Sequence, residues 1–448
     1  MPLSLKNNYC AIDFGTSNSA LVLPFEPVNT DGVKKNNGAE RMKLAVLEES
    51  AANHRGEKIP YNTIPTAVFY NAEDSTRAYG REAVVAYVDG YDGRLMRSMK
   101  SVLGSDLVER ATEIGLGLSV NYIDVIGGFL RHLKTVAEQQ HLAPLTKVIL
   151  GRPVFFVDDN PERDAKAQAV LESAAHAIGF EEVAFQFEPI AAALDYESRI
   201  SAEKIVLVAD IGGGTSDFSI VRTSPTRHLQ TARQADILGN YGVHIAGTDF
   251  DRAVNLSAIM PLLGMGSIGS VSMGCRRVPS AVYFDLATWH LINIVYSHNR
   301  VIELKHMASM YADKPRHQRL IRTITQRLGH QLAAKAEEAK INVSLTGAAR
   351  IDLDAIEAGL HVVLTTPQVF AALDEHINKI AAAALETVRQ AGLKPNQIDA
   401  LYFTGGSTGL PFLSEQIGAA FPNAERVFGD RFASVAMGLG IYAARQFG

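Results

Sequence analysis

Continuous apolar runs of strand length recur along this chain, and two of them end in the same way. Residues 205–209, Ile-Val-Leu-Val-Ala, read as a strand buried on both faces, because β-branched residues crowd the run and no polar position alternates. Asp210 closes it, Gly212, Gly213 and Gly214 follow, then the hydroxyls of Thr215 and Ser216, then Asp217 and an apolar return at 218–221. That pattern predicts a hairpin. The plan is repeated near the start, where apolar residues 9–12 lead into Asp13, Phe14, Gly15, Thr16, Ser17 and Asn18 and an apolar return follows at 20–22.

Each hairpin is followed, at a distance, by the order strand, helix, strand, helix. In the first half, residues 122–140 carry helical spacing, 147–150 form a strand stopped by Gly151 and Pro153, and Asn160-Pro161 opens a helix to about residue 178. Residues 183–187 are the next strand and 188–196 an alanine-rich helix. In the second half, 401–403 is a strand, 410–420 a helix, 426–428 a short strand and 434–444 a helix of small residues. The chain therefore reads as a duplicated α/β lobe, each copy opening with a hairpin. Residues 61–70 read as one strand interrupted by Pro65, 80–85 as a helix start, 94–104 as an amphipathic helix with solvated charges, and 319–345 as one long helix. The stretch 24–60 reads as an irregular surface insertion with one short strand near residues 44–47.

With 448 residues the chain exceeds one core, and its 47% hydrophobic and 20% charged composition excludes a disordered chain. A net charge of −5, with no block of Lys and Arg, gives no reason to expect nucleic acid or an anionic membrane as partner. Two cysteines, Cys10 and Cys275, do not make a disulfide framework, and residues 1–8 lack a leader pattern, so a cytoplasmic protein is the expectation.

Turns without side chains let backbone N–H groups approach an anion closely, and a carboxylate beside such a nest calls for a cation between them, ordinarily Mg²⁺. Either hairpin alone is equally compatible with a plain turn. Two copies suggest one nucleotide held from both sides. Gly264, Gly266 and Gly269 have dinucleotide-type spacing, with Asp285 at a ribose-like distance, but a helical pattern precedes them, so a loop is the better reading. His290, His298, His306, His317 and His330 keep no metal-ligand spacing.

The segments DFGTSNS at 13, IPTAV at 64, MKSVLG at 99, EPIAAALDY at 188, DIGGGTSDFSI at 210, AEEAKINVS at 336 and FTGGST at 403 together resemble the ATPase domain of the 70 kDa heat-shock chaperones, in the actin, sugar kinase and heat-shock superfamily. They fall in the family's order between about residues 9 and 445. The resemblance implies an actin-like ATPase fold: two duplicated lobes of ribonuclease H-like topology around a nucleotide cleft. Lobe I would be residues 1–203 and lobe II 204–448, with an inserted subdomain at about 240–330 and the last helix packing back on lobe I. The chain ends soon after that helix, as in the short heat-shock-70-like proteins without a peptide-binding domain.

Carried over residue by residue, the resemblance gives Asp13 and Asp210 a hydrated Mg²⁺, and Gly15, Thr16, Ser17, Asn18, Gly212, Gly213, Gly214 and Thr215 the phosphates of ATP or ADP. It sets Lys100 and Glu188 beside the γ-phosphate and attacking water, and Asp217 on the second hairpin or a metal-bound water. Glu337, Lys340 and Ser344 would be the ribose and base contacts, with Gly405, Gly406 and Ser407 the nucleotide-binding loop beneath them. Two departures stand out: the family's adenine-stacking Arg is Ile341 here, and the Arg of its GGSTR turn is Gly409. Each loss removes roughly 0.5–2 kcal/mol of stacking and cation–π attraction. The implied function is a slow Mg²⁺-dependent ATPase switch coupled to an unidentified protein partner. A small-molecule kinase and an actin-like filament protein are the alternatives.

Overall fold

The computed structural model describes residues 7–448 apart from 26–41, 51–56, 106, 107, 109, 116, 158, 159, 198, 199, 228, 229, 231, 272–274 and 432. Among the described residues no helix is long and apolar enough to cross a membrane. The chain divides into two compact units, one of residues 1–244, 382–408 and 417–448, the other of residues 245–381 and 409–416.

The first unit holds two sheets of the same design. One is built from β1 (Tyr9–Phe14), β2 (Asn18–Pro24), β3 (Met42–Leu44), β4 (Lys147–Arg152) and β5 (Glu182–Phe187). The other is built from β6 (Lys204–Ile211), β7 (Ser216–Thr223), β8 (Ile237–Val243), β9 (Ala400–Thr404) and β10 (Glu425–Phe428). In both, the spatial order is third, second, first, fourth, fifth: β3-β2-β1-β4-β5 and β8-β7-β6-β9-β10. The opening hairpins are antiparallel, Asp13 facing Ala20 and Asp210 facing Asp217, and the fourth strand lies parallel to the first. The duplication read from the sequence is thus a duplication of topology. It brings the C-terminal ends of β1 and β4, and of β6 and β9, to the same edge of each sheet, where α/β folds gather ligand groups.

The helices α1 (Glu188–Glu197) and α2 (Ser434–Phe447) share one core with residues of both sheets: Ala11, Val22 and Ile149 from the first, Val206, Val208 and Tyr402 from the second. Small residues permit this layer. Ala191, Ala192 and Ala193 are fully buried, and a Cβ added at Gly438 would lie 1.9 Å from the carbonyl oxygen of Ala191. The outer face of the first sheet packs Phe14, Leu21 and Leu150 against Phe129, Leu130 and Leu171, from helices Tyr122–His141 and Pro161–Ala177. Asn160 caps the latter by accepting from the Arg163 amide, as the Asn-Pro start predicts.

Three expectations need correction. Residues 61–70 are not one strand: Thr63–Pro65 pairs with β2, while Ala67–Asn71 belongs to another sheet. The segment 94–104 is not an amphipathic helix but a strand, Gly93–Arg97, followed by a 3₁₀ turn, Met99–Val102. The helical pattern at 319–345 is broken into Lys314–Thr325 and Gly329–Thr346, with Arg327 at φ +54° between them. The second unit contains these two helices, Gly247–Val254 and most of Thr366–Gln390. Residues 264–269 there form a loop bridged to Arg277 and Tyr311, without the strand that a dinucleotide turn requires.

Candidate functional site

In the first unit the two hairpin turns meet. A Cβ added at Gly213 would stand 2.1 Å from Ser17 Oγ, so only glycine lets the second turn approach the first. At Gly214 the nearest atom is the Thr16 methyl, at 3.6 Å. The second turn is closed by the Gly212 amide donating to the Thr215 carbonyl (3.0 Å), and the Thr215 hydroxyl donates to Asp217 Oδ2 (2.7 Å). Beneath it, Ser407 Oγ donates to the Gly212 carbonyl (2.6 Å). Gly405, at φ +88°, passes so near that a Cβ would lie 2.4 Å from the Ile211 carbonyl and 2.7 Å from Asp210 Oδ1.

The first turn is held by a residue the sequence reading left without a role. Thr66 donates its amide to the Ser17 carbonyl (2.8 Å) and its hydroxyl to the Gly15 carbonyl (2.8 Å), with Ser19 Oγ a further 2.8 Å partner. Those bonds take Thr66 out of the strand ladders on either side of it, which is why residues 61–70 split. The threonine of the IPTAV segment was the available signal.

Asp13, Lys100, Glu188 and Asp210 form one electrostatic cluster. Lys100, from the 3₁₀ turn after Gly93–Arg97, donates to Glu188 Oε1 at the start of α1, and both side chains are nearly buried. Burial, then Glu188, pushes Asp13 up to about 7, with Lys100 opposing. Burial, then Glu188, Asp217 and Asp13, pushes Asp210 up to about 8, again opposed by Lys100. Burial alone would lower the Lys100 ammonium, but the surrounding carboxylates, Glu188 first, raise it. Gly151, at the end of β4, leaves room for Glu188, whose Cγ would lie 3.3 Å from a Cβ there. Three inward carboxylates and one ammonium leave a surplus of negative charge that a bound cation would relieve. Among the described residues no three His, Cys, Asp or Glu converge closely enough to hold a bare ion. What the cluster offers a hydrated ion such as Mg²⁺, which keeps its waters, is unrelieved negative charge.

Not every predicted residue joins this cluster. Asn18 and Gly406 are exposed at the starts of β2 and of the turn after β9. Glu337, Lys340 and Ser344 belong to the second unit, on one face of helix Gly329–Thr346. There Glu337 is exposed, and Ser344 Oγ donates to the Ile341 carbonyl (2.6 Å). Lys340 is buried against Asp251 (2.6 Å), with the Gly247 carbonyl 3.5 Å away. Ile341 is 47% exposed.

The family model described as "Hsp70 protein" matches residues 106–257 and 305–445, well over half of the chain. The chain belongs to the Hsp70 family. With membership comes the actin-like ATPase fold, whose paired sheets are the two described above. Among curated proteins the Hsp70-family chain is similar to the chaperone protein HscA of Pectobacterium carotovorum subsp. carotovorum, 25% identical over 72% of this chain and 41% of that protein. It is similar also to the HscA homolog of Pseudomonas putida, 26% identical over 72% of this chain and 40% of that protein, and to that of Histophilus somni, 24% identical over 74% and 43%. The chain thus spans about two fifths of the length of these relatives.

Proposed function

We propose that this Hsp70-family chain binds ATP with Mg²⁺, hydrolyses it slowly, and uses the change of nucleotide state to alter its hold on a protein partner, as a chaperone. The observation that carries this is the charge-deficient cluster of Asp13, Glu188 and Asp210 around Lys100, set where two glycine turns touch. The relatives' name, chaperone, supports the partner half of the reading.

Asp13 and Asp210 would hold hydrated Mg²⁺ through its waters. When bound, the ion would supply the positive charge the cluster lacks and draw electron density from the phosphate oxygens. Backbone N–H groups of the two turns, around Gly15–Ser17 and Gly212–Gly214, would donate to phosphate oxygens, and Thr215 is steadied for the same task by Asp217. Lys100 would stabilise negative charge developing on the transferred phosphoryl group. Glu188 orients Lys100 and would accept a proton or hydrogen bond from the attacking water. Placement and charge of this kind are most of what phosphoryl transfer requires, since its loose transition state involves little covalent chemistry with the protein.

By the family resemblance Glu337, Lys340 and Ser344 are the ribose and base contacts, and Ile341 beside them is an apolar side chain where an Arg would offer a stacking cation. Base discrimination is then weak. GTP should displace ATP at concentrations within about tenfold of ADP in a competition titration; a preference for adenine of a thousandfold would contradict this.

Phosphate release by the purified chain tests the catalytic assignment. Lys100→Ala and Glu188→Ala should each lower turnover by about 10²-fold when assayed well below their melting transitions, which fall because each change leaves a nearly buried partner unpaired. Full turnover in either variant would remove that residue from the mechanism.

A further inference from the structure

The second unit carries a feature that nucleotide chemistry leaves unused. Between residues 298 and 327 the sequence places seven Lys and Arg against two acids, in a chain whose net charge is −5. Helices His298–His306 and Lys314–Thr325 run through this stretch and are pinned together by His317, whose Nε2 donates to the Leu304 carbonyl (2.9 Å). That pin borders an open cleft of about 490 Å³ lined also by Lys305, Gln318, Ile321, Arg322, Thr325 and Gln326. No acid lines it.

The acids nearby are already engaged. Glu303 pairs with Arg300 (2.7 Å), Asp313 with Arg316 (3.0 Å), and Glu357 takes both arms of Arg319 (2.7 and 2.9 Å). Arg322 gives one N–H to the Ile356 carbonyl and helps Arg319 hold the Glu357 carboxyl below its ordinary value, and Lys305 is exposed near the end of its helix. Among the described residues neither has an acidic partner within ion-pair distance. Lys305, with no acid beside it, and Arg322, which shares the field of Glu357 with Arg319, face a cleft whose other polar groups are amides, a hydroxyl and the His317 ring, with Ile321 as its aliphatic member.

We infer that this cleft is a docking site for an acidic segment of a partner protein, its carboxylates meeting Lys305 and Arg322, its backbone meeting Gln318 and Gln326, and one aliphatic side chain resting on Ile321. The cleft is shallow and open, so it suits an extended peptide segment lying across it and not an enclosed small molecule. A short peptide fits better than a nucleic acid, because the net negative charge of the whole chain repels a long polyanion and the basic surface is confined to one cleft.

Fluorescence anisotropy of the full chain with a fluorescein-labelled Glu-Glu-Leu-Glu-Glu peptide tests this. Saturable binding is expected, weakened about tenfold by Lys305→Glu and further by Lys305→Glu combined with Arg322→Glu, and weakened by added salt. Lys305 is exposed in the last turn of its helix, so the single variant should melt within a few degrees of wild type and show unchanged phosphate release. The inference is overturned by no saturable binding up to ~1 mM peptide. It is overturned equally by charge-reversed variants that bind as wild type, or by an oligothymidylate binding more tightly than the peptide through the same two residues. Because the readout is peptide binding, it stands or falls separately from hydrolysis.

Discussion

Partly buried carboxylates decide the behaviour of the site at the scale of single residues. Asp13 and Asp210 titrate near 7 and 8 in the folded chain, against an ordinary value of 3.8, so the folded state retains protons that the unfolded state releases. Between about pH 4 and pH 8 the folded state therefore binds more protons, and the contribution of these two groups to stability falls as pH rises through that window. Asp210→Asn removes one of them. The variant should gain in melting temperature relative to wild type, without nucleotide, by at least ~2 °C more at pH 8 than at pH 5 in paired thermal melts. An advantage independent of pH would mean that Asp210 is ionised throughout. At the same scale the sequence was legible wherever the signal was local. A strand run, an aspartate and clustered glycines are contiguous, so both turns could be placed from a dozen residues each. Thr66 was not legible, because its role depends on a turn fifty positions earlier folding against it. Nor was the setting of Lys100, whose side chain reaches Glu188 from a 3₁₀ turn that no periodicity announces.

Elements position these residues through close packing. The layer formed by α1 and α2 depends on side chains small enough for the helix backbones to approach, and Gly438 marks the tightest point. Gly438→Ala would press its methyl group on a carbonyl that α1 cannot move without shifting Glu188 at its own start. The expected cost is about 1–3 kcal/mol in chemical denaturation, together with slower phosphate release. A variant as stable and active as wild type would show that the layer gives way freely. The far end of α1 is anchored by Glu197, which takes two bonds from Arg233 (2.7 and 2.9 Å) in a fully buried pair that Asp236 completes. Arg233→Ala leaves that carboxylate without its partner and should cost about 3–5 kcal/mol, measured the same way; a loss under ~1 kcal/mol would mean that the anchor is dispensable. Helix α1 was legible as an alanine-rich run, but the break at residues 326–328 was not. Neither Gly nor Pro precedes it, and Arg327 adopts a positive φ that side chains of its kind rarely take.

For the whole molecule, the informative fact is that one topology occurs twice and brings the same chemical group to the same place each time. A strand-end aspartate in each sheet, next to a turn that tolerates close approach, gives two half-sites that are incomplete apart: each has an acid, and they share one lysine. Order of elements revealed the duplication, because hydrophobic runs and their spacing survive in both copies. The division into compact units was less accessible, since residues 382–408 and 417–448 join the first unit from the far end of the chain, and composition does not change where they do so. The central claim is that Asp13 and Asp210 together make nucleotide binding depend on magnesium. Calorimetric titration of the chain with ADP, in Mg²⁺ and in excess chelator, tests it most directly, with Asp13→Asn/Asp210→Asn as the comparison. Wild type should bind at least about tenfold more tightly with Mg²⁺, and the double variant should bind equally in both conditions. Equal affinity of wild type with and without the ion, or an undiminished Mg²⁺ effect in the double variant, would contradict the account.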